Sequence, residues 1–244
     1  MKKLISYPLS ILAYLFFLLV ICVFHPIQWV CLHAFGYGAH KKSVDYLGFF
    51  LLKTLYFTCS TSKVENIELI PEGHPYIFAS NHQSIFDIMG FVWFFRKFHP
   101  KFVSKIELGK GIPSVSYNLN HGGSVLIDRK NPKQALPALK KMGQYIEAYC
   151  RSVVIFPEGT RSKNGKPKRF APNGIKMLCK YAPSAYVVPV TINNSWKMFR
   201  YGSFPLGLGN HLTFTVHPPI KIGEYDFEEL LEKTEQAVIS GIKQ

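Results

Sequence analysis

The chain has 244 residues, of which 48% are hydrophobic, and its 29 Lys and Arg outnumber its 15 Asp and Glu. This composition excludes a disordered chain, and the length suits one domain, or one domain with an appendage. The net charge of +14 indicates an anionic partner, such as nucleic acid, a lipid headgroup or a phosphorylated substrate.

The first predicted element is an apolar N-terminal helix. No Asp, Glu, Lys or Arg lies between Leu4 and His40, and Leu4–Phe24 is almost wholly apolar. About 20 apolar residues at roughly 1.5 Å per residue match a hydrocarbon core of roughly 30 Å. A secretory signal peptide is the alternative, but the run is longer than a usual signal core and no small-residue cleavage site follows it.

A second apolar stretch, Val44–Cys59, contains two charges and suits an interfacial helix or a hairpin partner of the first. A lysine pair precedes each stretch, and the positive-inside rule then favours a cytosolic N-terminus and a cytosolic remainder. We therefore expect residues 1–62 to form two membrane-associated helices that dip in and return, or lie in one leaflet. Residues 63–244 are expected to form an α/β domain on the cytosolic face.

Beyond residue 62 the pattern predicts alternating strands and helices. The predicted strands are Tyr76–Ser80, Phe102–Ser104, Ser124–Ile127, Val153–Phe156, Tyr186–Ile192 and Leu212–Val216. Several are continuous apolar runs, as strands covered on both faces require, whereas Leu212–Val216 alternates as an edge strand does. The predicted helices are Ile85–Lys97, Pro132–Cys150 and Asp226–Lys243, the last with Asp226 and Glu229 as a capping pair. This order predicts a mixed, largely parallel sheet flanked by helices.

The most pointed motif is SNHQSIFD at residues 80–87, where a predicted strand ends and a helix begins. Sites in open α/β sheets usually lie at such junctions. Asp87 can fold back from the first helical turn and accept the imidazole N–H of His82. That contact fixes the tautomer and leaves the other ring nitrogen to take a hydroxyl proton. The alternative is a histidine that caps its own helix, with Asp87 as a first-turn charge.

A second motif, VVIFPEGTRS at residues 153–162, runs from a buried strand into a turn that presents Glu158, Thr160 and Arg161. The planar fork of Arg161 suits a phosphate, and Glu158 could orient it or accept a substrate hydroxyl. The alternative is a solvated Glu–Arg pair worth about 0–1 kcal/mol. After Glu158 no acidic residue occurs before Glu224, so this turn opens a strongly basic stretch.

Two further basic residues, Lys105 and Arg129, each follow a β-rich run. Groups that face a phosphate are expected at such strand ends. The alternative for Arg129 is a simple surface pair with Asp128.

In this order, the motifs resemble those of the membrane-bound glycerolipid acyltransferases, the lysophosphatidic acid acyltransferase (1-acylglycerol-3-phosphate O-acyltransferase) family. Four blocks match: NHQSIFD at 81–87, the stretch from Lys105 to Arg129, FPEGTRS at 156–162 and VPV at 188–190. The resemblance covers roughly residues 44–222. Its specificity comes from the order and combination of the blocks.

The resemblance implies transfer of an acyl group from acyl-CoA or acyl carrier protein to the free sn-2 hydroxyl of 1-acylglycerol-3-phosphate, giving phosphatidate. His82 would be the general base and Asp87 would orient it. The implied substrate-binding residues are Lys105, Arg129, Glu158, Gly159, Thr160 and Arg161. No metal and no cofactor beyond the thioester co-substrate is implied. The implied partners are the lysophospholipid, the thioester or its carrier protein, and the bilayer, with the site on the cytosolic face of a bacterial inner membrane.

Other functions stay open beside this one. The same chemistry could act on glycerol-3-phosphate or a lyso-aminolipid. A basic membrane-surface protein that binds anionic lipid would explain the charge, but not the His82 and Asp87 pair. Nucleic acid is not an expected partner, since no nucleic-acid module is recognisable. A serine hydrolase is excluded by the lack of a G-x-S-x-G elbow.

Overall fold

A computed structural model describes residues 2–128 and 130–243. Its helices are α1 (Lys2–Lys53), α2 (Phe86–Phe94), α3 (Val115–His121), α4 (Pro132–Tyr149), α5 (Pro172–Tyr181) and α6 (Phe227–Ser240). Its strands are β1 (Thr61–Glu65), β2 (Tyr76–Ser80), β3 (Pro100–Lys105), β4 (Val125–Ile127), β5 (Ser152–Ile155), β6 (Tyr186–Asn193), β7 (His211–Val216) and β8 (Ile220–Lys221). All six strands predicted from the sequence are present.

The strands form one sheet in the order β1-β7-β6-β2-β5-β3-β4, with β8 added to β6. Within the described ranges, the pairs β6–β7 and β6–β8 are antiparallel and the others are parallel. This confirms the mixed, largely parallel sheet. The prediction of β7 as an edge strand is wrong, because β7 lies between β1 and β6. Its alternating polarity does not mark a solvent face, since Thr213 is buried as well.

Helices cover both faces of the sheet. Along β2, Ile77 and Ala79 pack into the core beneath α4, α5 and α6. Tyr76 and Phe78 pack on the opposite face, with side chains of α2 and Val44 of α1. A strand buried on both faces needs apolar residues at every position, which explains the continuous apolar runs in the sequence.

The N-terminal helix α1 is broken at Gly36, whose backbone (φ 78°, ψ −173°) is accessible almost only to glycine. The break divides α1 into a first arm, residues 2–35, and a second arm, residues 37–53, so the segment contains two helices as predicted. Many apolar side chains point outward: Leu4 is 74% and Phe35 is 73% exposed. By length and composition, the helical stretch Lys2–Thr58 could cross a membrane.

Polar contacts hold the first arm against the rest of the chain. The backbone N–H of Leu206 donates to Ser10 Oγ at 2.7 Å. Further along the arm, Ser114 Oγ donates to the carbonyl oxygen of Ile21 at 2.6 Å, and Ser114 N donates to His25 Nδ1 at 3.1 Å. The first arm therefore packs along the α/β domain rather than standing away from it.

The ends of the predicted helices shift by a few residues. α2 ends at Phe94, before the predicted Lys97, because a 3-10 turn follows it. The α6 cap is confirmed, since Asp226 Oδ1 accepts a hydrogen bond from Glu229 N at 2.8 Å. Four elements were not predicted: β1, β8, α3 and α5. β1 is polar and partly exposed, and β8 has only two residues. α5 begins with Pro-Asn-Gly, which is typical of a turn.

Candidate active site

The predicted site residues follow strands that end at one edge of the sheet. β2, β3, β4, β5 and β6 run parallel, so their carboxyl ends lie together. His82 follows the end of β2, Glu158 follows the end of β5, and Lys105 is the last residue of β3. This is where open α/β sheets hold their ligands.

His82 and Asp87 are in direct contact. His82 Nδ1 lies 2.8 Å from Asp87 Oδ2, and Asp87 is wholly buried. The same oxygen accepts the backbone N–H groups of Gln83 at 2.6 Å and Ser84 at 2.8 Å. Because an ionised carboxylate can only accept, Nδ1 carries the proton and Nε2 keeps the free lone pair. Residues 81–87 are here called the dyad loop. The contact between His82 and Asp87 that the sequence predicts within this loop is confirmed.

An aromatic ring fixes the plane of the imidazole. The ring of Phe156 stacks on that of His82, with centroids 4.0 Å apart and planes 14° from parallel. Only 7% of His82 is exposed. The imidazole is therefore held by a hydrogen bond in its plane and by packing on its face. This role of Phe156 was not predicted from the sequence.

The turn after β6 braces the dyad loop from the other side. Asn81 exchanges two hydrogen bonds with the backbone of Ile192, donating from Nδ2 at 2.8 Å and accepting at Oδ1 at 2.7 Å. Ser195 Oγ donates to Asp87 Oδ1 and contacts Ser84 Oγ. Every carboxylate oxygen of Asp87 thus has a donor. Ser195 was missed from the sequence because it lies 108 positions from Asp87 and belongs to no motif.

Glu158 touches the backbone of the same histidine. Its Oε1 accepts from His82 N at 3.3 Å, while Oε2 is buried without a hydrogen-bond partner among the described residues. Burial raises the pKa of Glu158 from 4.5 to about 7. Ser162 N donates to the carbonyl oxygen of His82 at 2.7 Å. The FPEGTRS turn is therefore bonded to both sides of the His82 backbone.

Residues 157–171 form a loop, here called the basic loop, whose base is closed by Ala171 N donating to the carbonyl oxygen of Pro157 at 3.0 Å. It begins with a tight turn in which Gly159 has φ 72°, a left-handed conformation that favours glycine. Lys168 Nζ donates to Thr160 Oγ1 at 2.6 Å. Its five basic side chains are exposed: Arg161, Lys163, Lys166, Lys168 and Arg169.

The other predicted binding residues, Lys105 and Arg129, are not among the residues seen in contact with His82 and Asp87. Lys105 is exposed at the end of β3, and within the described ranges its side chain has no partner. Arg129 lies outside the described residues. Within those residues, the structure brings His82, Asp87 and Glu158 into contact, with Gly159, Thr160 and Arg161 on the adjoining turn. No group of His, Cys, Asp and Glu in the described ranges could hold a metal ion.

An apolar cavity of about 270 Å³, here called the first cavity, adjoins the site. Both arms of α1 contribute to its wall, through Phe17 and Leu47, together with side chains of α2 and α3. Ile85, at the end of the dyad loop, and Arg161 also line it. The wall is mostly apolar, with Ser104 and Asn118 as neutral polar residues and Arg161 as the one charged residue in it. This arrangement suits an apolar chain with an anionic head.

Comparison with known proteins agrees with this geometry. The family model described as Acyltransferase matches residues 61–193, more than half of the chain. A chloroplastic 1-acyl-sn-glycerol-3-phosphate acyltransferase from Arabidopsis thaliana is 31% identical over 160 residues, which are 64% of this chain and 43% of that protein. A 1-acyl-sn-glycerol-3-phosphate acyltransferase from Helicobacter pylori is 32% identical over 150 residues, 59% of each chain. The chain thus spans about half the length of these relatives.

A solved structure has the same fold over nearly the whole chain. It is the crystal structure of the 1-acyl-sn-glycerophosphate (LPA) acyltransferase PlsC from Thermotoga maritima, which superposes with a TM-score of 0.79. The superposition covers 99% of this chain and 96% of that one, at 24% sequence identity. The fold, the dyad loop and the family match agree, and the protein belongs to the acyltransferase family.

Proposed function

We propose that the protein transfers an acyl group from a thioester to the sn-2 hydroxyl of 1-acylglycerol-3-phosphate, giving phosphatidate. The observation that carries this proposal is the His82 imidazole, whose Nδ1 is fixed by a buried carboxylate and whose Nε2 has no hydrogen-bond partner among the described residues. The relatives' names support the choice of acceptor. The same chemistry on glycerol-3-phosphate or a lyso-aminolipid is the alternative.

In the proposed reaction, Nε2 of His82 takes the proton of the acceptor hydroxyl. The oxygen of that hydroxyl attacks the thioester carbonyl carbon at the same time. The tetrahedral intermediate then collapses, the C–S bond breaks, and the leaving thiolate receives the proton from the imidazolium. Asp87 stabilises the imidazolium and holds the ring in place. General base catalysis of this kind contributes about 10²–10⁴-fold to a rate. No covalent acyl-enzyme is needed.

The acceptor headgroup is assigned to the adjoining turn. Arg161 lines the first cavity and offers a planar fork that can bind phosphate through two hydrogen bonds. Glu158 Oε2 has no partner among the described residues, and with a pKa of about 7 it can donate or accept near neutral pH. It therefore suits a glycerol hydroxyl. Lys105, Arg129, Gly159 and Thr160 complete the proposed binding set.

The first cavity is assigned to an acyl chain, because its wall is mostly apolar and both arms of α1 line it. We assign residues 1–62 to membrane association and residues 63–244 to catalysis, with the site on the cytosolic face of a bacterial inner membrane. The exposed apolar residues of α1 support the membrane contact. The donor is acyl-CoA or acylated acyl carrier protein, and the reaction needs no metal.

The test is acyl transfer by detergent-purified protein from a labelled acyl thioester to lysophosphatidate, glycerol-3-phosphate and a lyso-aminolipid, offered side by side. His82→Ala should lower the rate by about 10²–10⁴-fold. His74→Ala, at the opposite edge of the sheet just before β2, is the matched control and should keep full activity.

Transfer to a different acceptor would keep the mechanism and change the substrate. Full activity in His82→Ala would overturn the mechanism. No transfer by the wild type to any acceptor, with salt-sensitive binding to anionic liposomes, would favour a lipid-binding protein instead.

A further inference from the structure

A second cavity, of about 310 Å³, opens at the same carboxyl edge as the first. Its wall is formed by α4, through Ala135 and Leu139, and by the two ends of the basic loop, through Pro157 and Ala171. Its volume lies within the range of small-molecule sites. Gly159 of the proposed acceptor-binding set also lines it, but the proposed mechanism assigns no ligand to the cavity itself.

The two cavities lie on opposite faces of the sheet. Phe102 and Ser104 of β3 line the first cavity, and Val103 between them lines the second. Successive side chains of a strand point to opposite faces, so β3 separates the cavities. Phe156 also lines the second cavity and stacks on His82, so this one side chain contacts both the cavity and the proposed general base.

The basic loop adjoins the second cavity through its two ends, and none of its basic side chains is among the described residues that line that cavity. Pro157 and Ala171 line the cavity and close the base of the basic loop, so the loop rises from the cavity rim. None of its five basic side chains forms an ion pair with a described residue. A cluster of cations without ion pairs, on a loop that adjoins a cavity, favours a ligand that carries phosphate.

We propose that the second cavity holds the phosphopantetheine arm of the acyl-thioester donor, with its phosphate on the basic loop. This inference rests on the proposed function, which requires a thioester carbonyl beside His82. The first cavity lies under the lipid-facing arms of α1, whereas the second is bounded by α4 and α5 on the other face. A lipid acceptor arrives from the membrane and a carrier arm arrives from water, so the second cavity suits the carrier arm.

The test narrows the cavity at Leu136, a cavity-lining residue of α4 that is 40% exposed and therefore tolerates a larger side chain. The KM of Leu136→Trp is compared with that of wild type for three substrates. These are acyl-CoA, the N-acetylcysteamine thioester of the same acyl group, and lysophosphatidate. N-Acetylcysteamine keeps the thioester but lacks the phosphate and most of the arm. We expect the KM for acyl-CoA to rise at least tenfold and the other two to stay unchanged.

A companion variant addresses the charge. Lys163→Gln combined with Lys166→Gln should raise the KM for acyl-CoA and weaken its dependence on salt, again without effect on the truncated thioester. A selective rise in the KM for lysophosphatidate in Leu136→Trp would assign the cavity to the acceptor and overturn the proposal. Unchanged constants for all three substrates would overturn it as well.

Binding of free coenzyme A, measured by titration calorimetry, separates this inference from the proposed function because it needs no turnover. Wild type should bind coenzyme A and Leu136→Trp should bind it at least tenfold more weakly. If that difference is found in a protein without acyl transfer, the cavity assignment stands and the proposed function fails. Equal affinities would remove the cavity assignment whatever the activity. Circular dichroism confirms that the variants fold, and Ala135→Gln replaces Leu136→Trp should the latter not fold.

Discussion

The dyad loop and the basic loop lie side by side at one edge of the sheet and differ in how their polar groups are used. In the dyad loop, the Asp87 carboxylate is buried and accepts hydrogen bonds from backbone, hydroxyl and imidazole groups. In the basic loop, Glu158 Oε2 has no partner among the described residues and five cations are exposed without ion pairs. The first loop is preorganised, and the second keeps its binding capacity for a ligand. Preorganised groups suit proton transfer, whereas unpaired groups suit substrate binding.

The largest expected effect comes from breaking the dyad loop with Asp87→Asn. The amide can present an N–H to Nδ1 and so favour the wrong tautomer of His82, and it cannot balance the imidazolium. We expect kcat to fall by about 10²–10⁴-fold with little change in KM. Steady-state kinetics at saturating thioester measures this. Asp226→Asn, at the α6 cap where Asn also caps well, is the control. A kcat within twofold of wild type would contradict a role for Asp87.

A smaller effect is expected from Ser195→Ala, which removes the hydroxyl that donates to Asp87 Oδ1. A hydrogen bond to a charged group is worth about 1.5–3 kcal/mol, so kcat should fall roughly 10–100-fold. Ser195 acts through Asp87, and the loss should vanish when Asp87→Asn is already present. The double-mutant cycle tests this.

Ser152→Ala is the matched control for Ser195→Ala. Ser152 is also a buried serine, and its hydroxyl donates to the carbonyl oxygen of Phe98 at 2.7 Å. It lies at the amino end of β5, away from the dyad loop, so its loss should lower stability without lowering kcat. If Ser195→Ala lowers kcat equally in the wild type and in the Asp87→Asn variant, Ser195 is merely structural.

The basic loop is probed by Arg161→Gln, which removes the planar fork from the end of the first cavity. Loss of one charged contact corresponds to roughly a tenfold rise in the KM for lysophosphatidate, with kcat nearly unchanged. The matched control is an acceptor without the phosphate, monoacylglycerol, for which wild type and variant should behave alike. A rise in KM for both acceptors would place the arginine elsewhere in the reaction.

The smallest expected effect concerns stability, through Glu158→Gln. Burial raises the pKa of this carboxyl to about 7 in the folded protein, above its ordinary 4.5. Between those two pH values the Glu158 carboxyl holds a proton in the folded state that it has released in the unfolded state. The free energy of unfolding of the protein therefore falls as the pH rises. The wild type should therefore lose stability relative to Glu158→Gln between pH 4.5 and 7. Urea unfolding at several pH values measures the difference, and a constant difference would contradict the raised pKa.

Local sequence patterns predicted much of the fold. The α6 cap and the boundaries of β2 depend on residues within a few positions of each other, and they were predicted well. Two N-terminal helices were also predicted, but not the break at Gly36 that divides them. β7 was placed wrongly because its neighbour β1 pairs with it from 150 positions away and is too polar to be recognised as a strand. Strand order depends on pairing between distant segments, which no local pattern reports.

The dyad could be predicted from local sequence, because His82 and Asp87 are separated by a single loop and meet as soon as the helix begins. The basic loop could be predicted as well, because its charges lie close together in the sequence. Three contacts became visible only in the folded chain: Phe156 stacks on the imidazole, Ser195 donates to Asp87, and Glu158 is buried with a pKa of about 7. These contacts join residues from different strands. They depend on the parallel order of β2, β5 and β6, which is set by packing across the whole sheet.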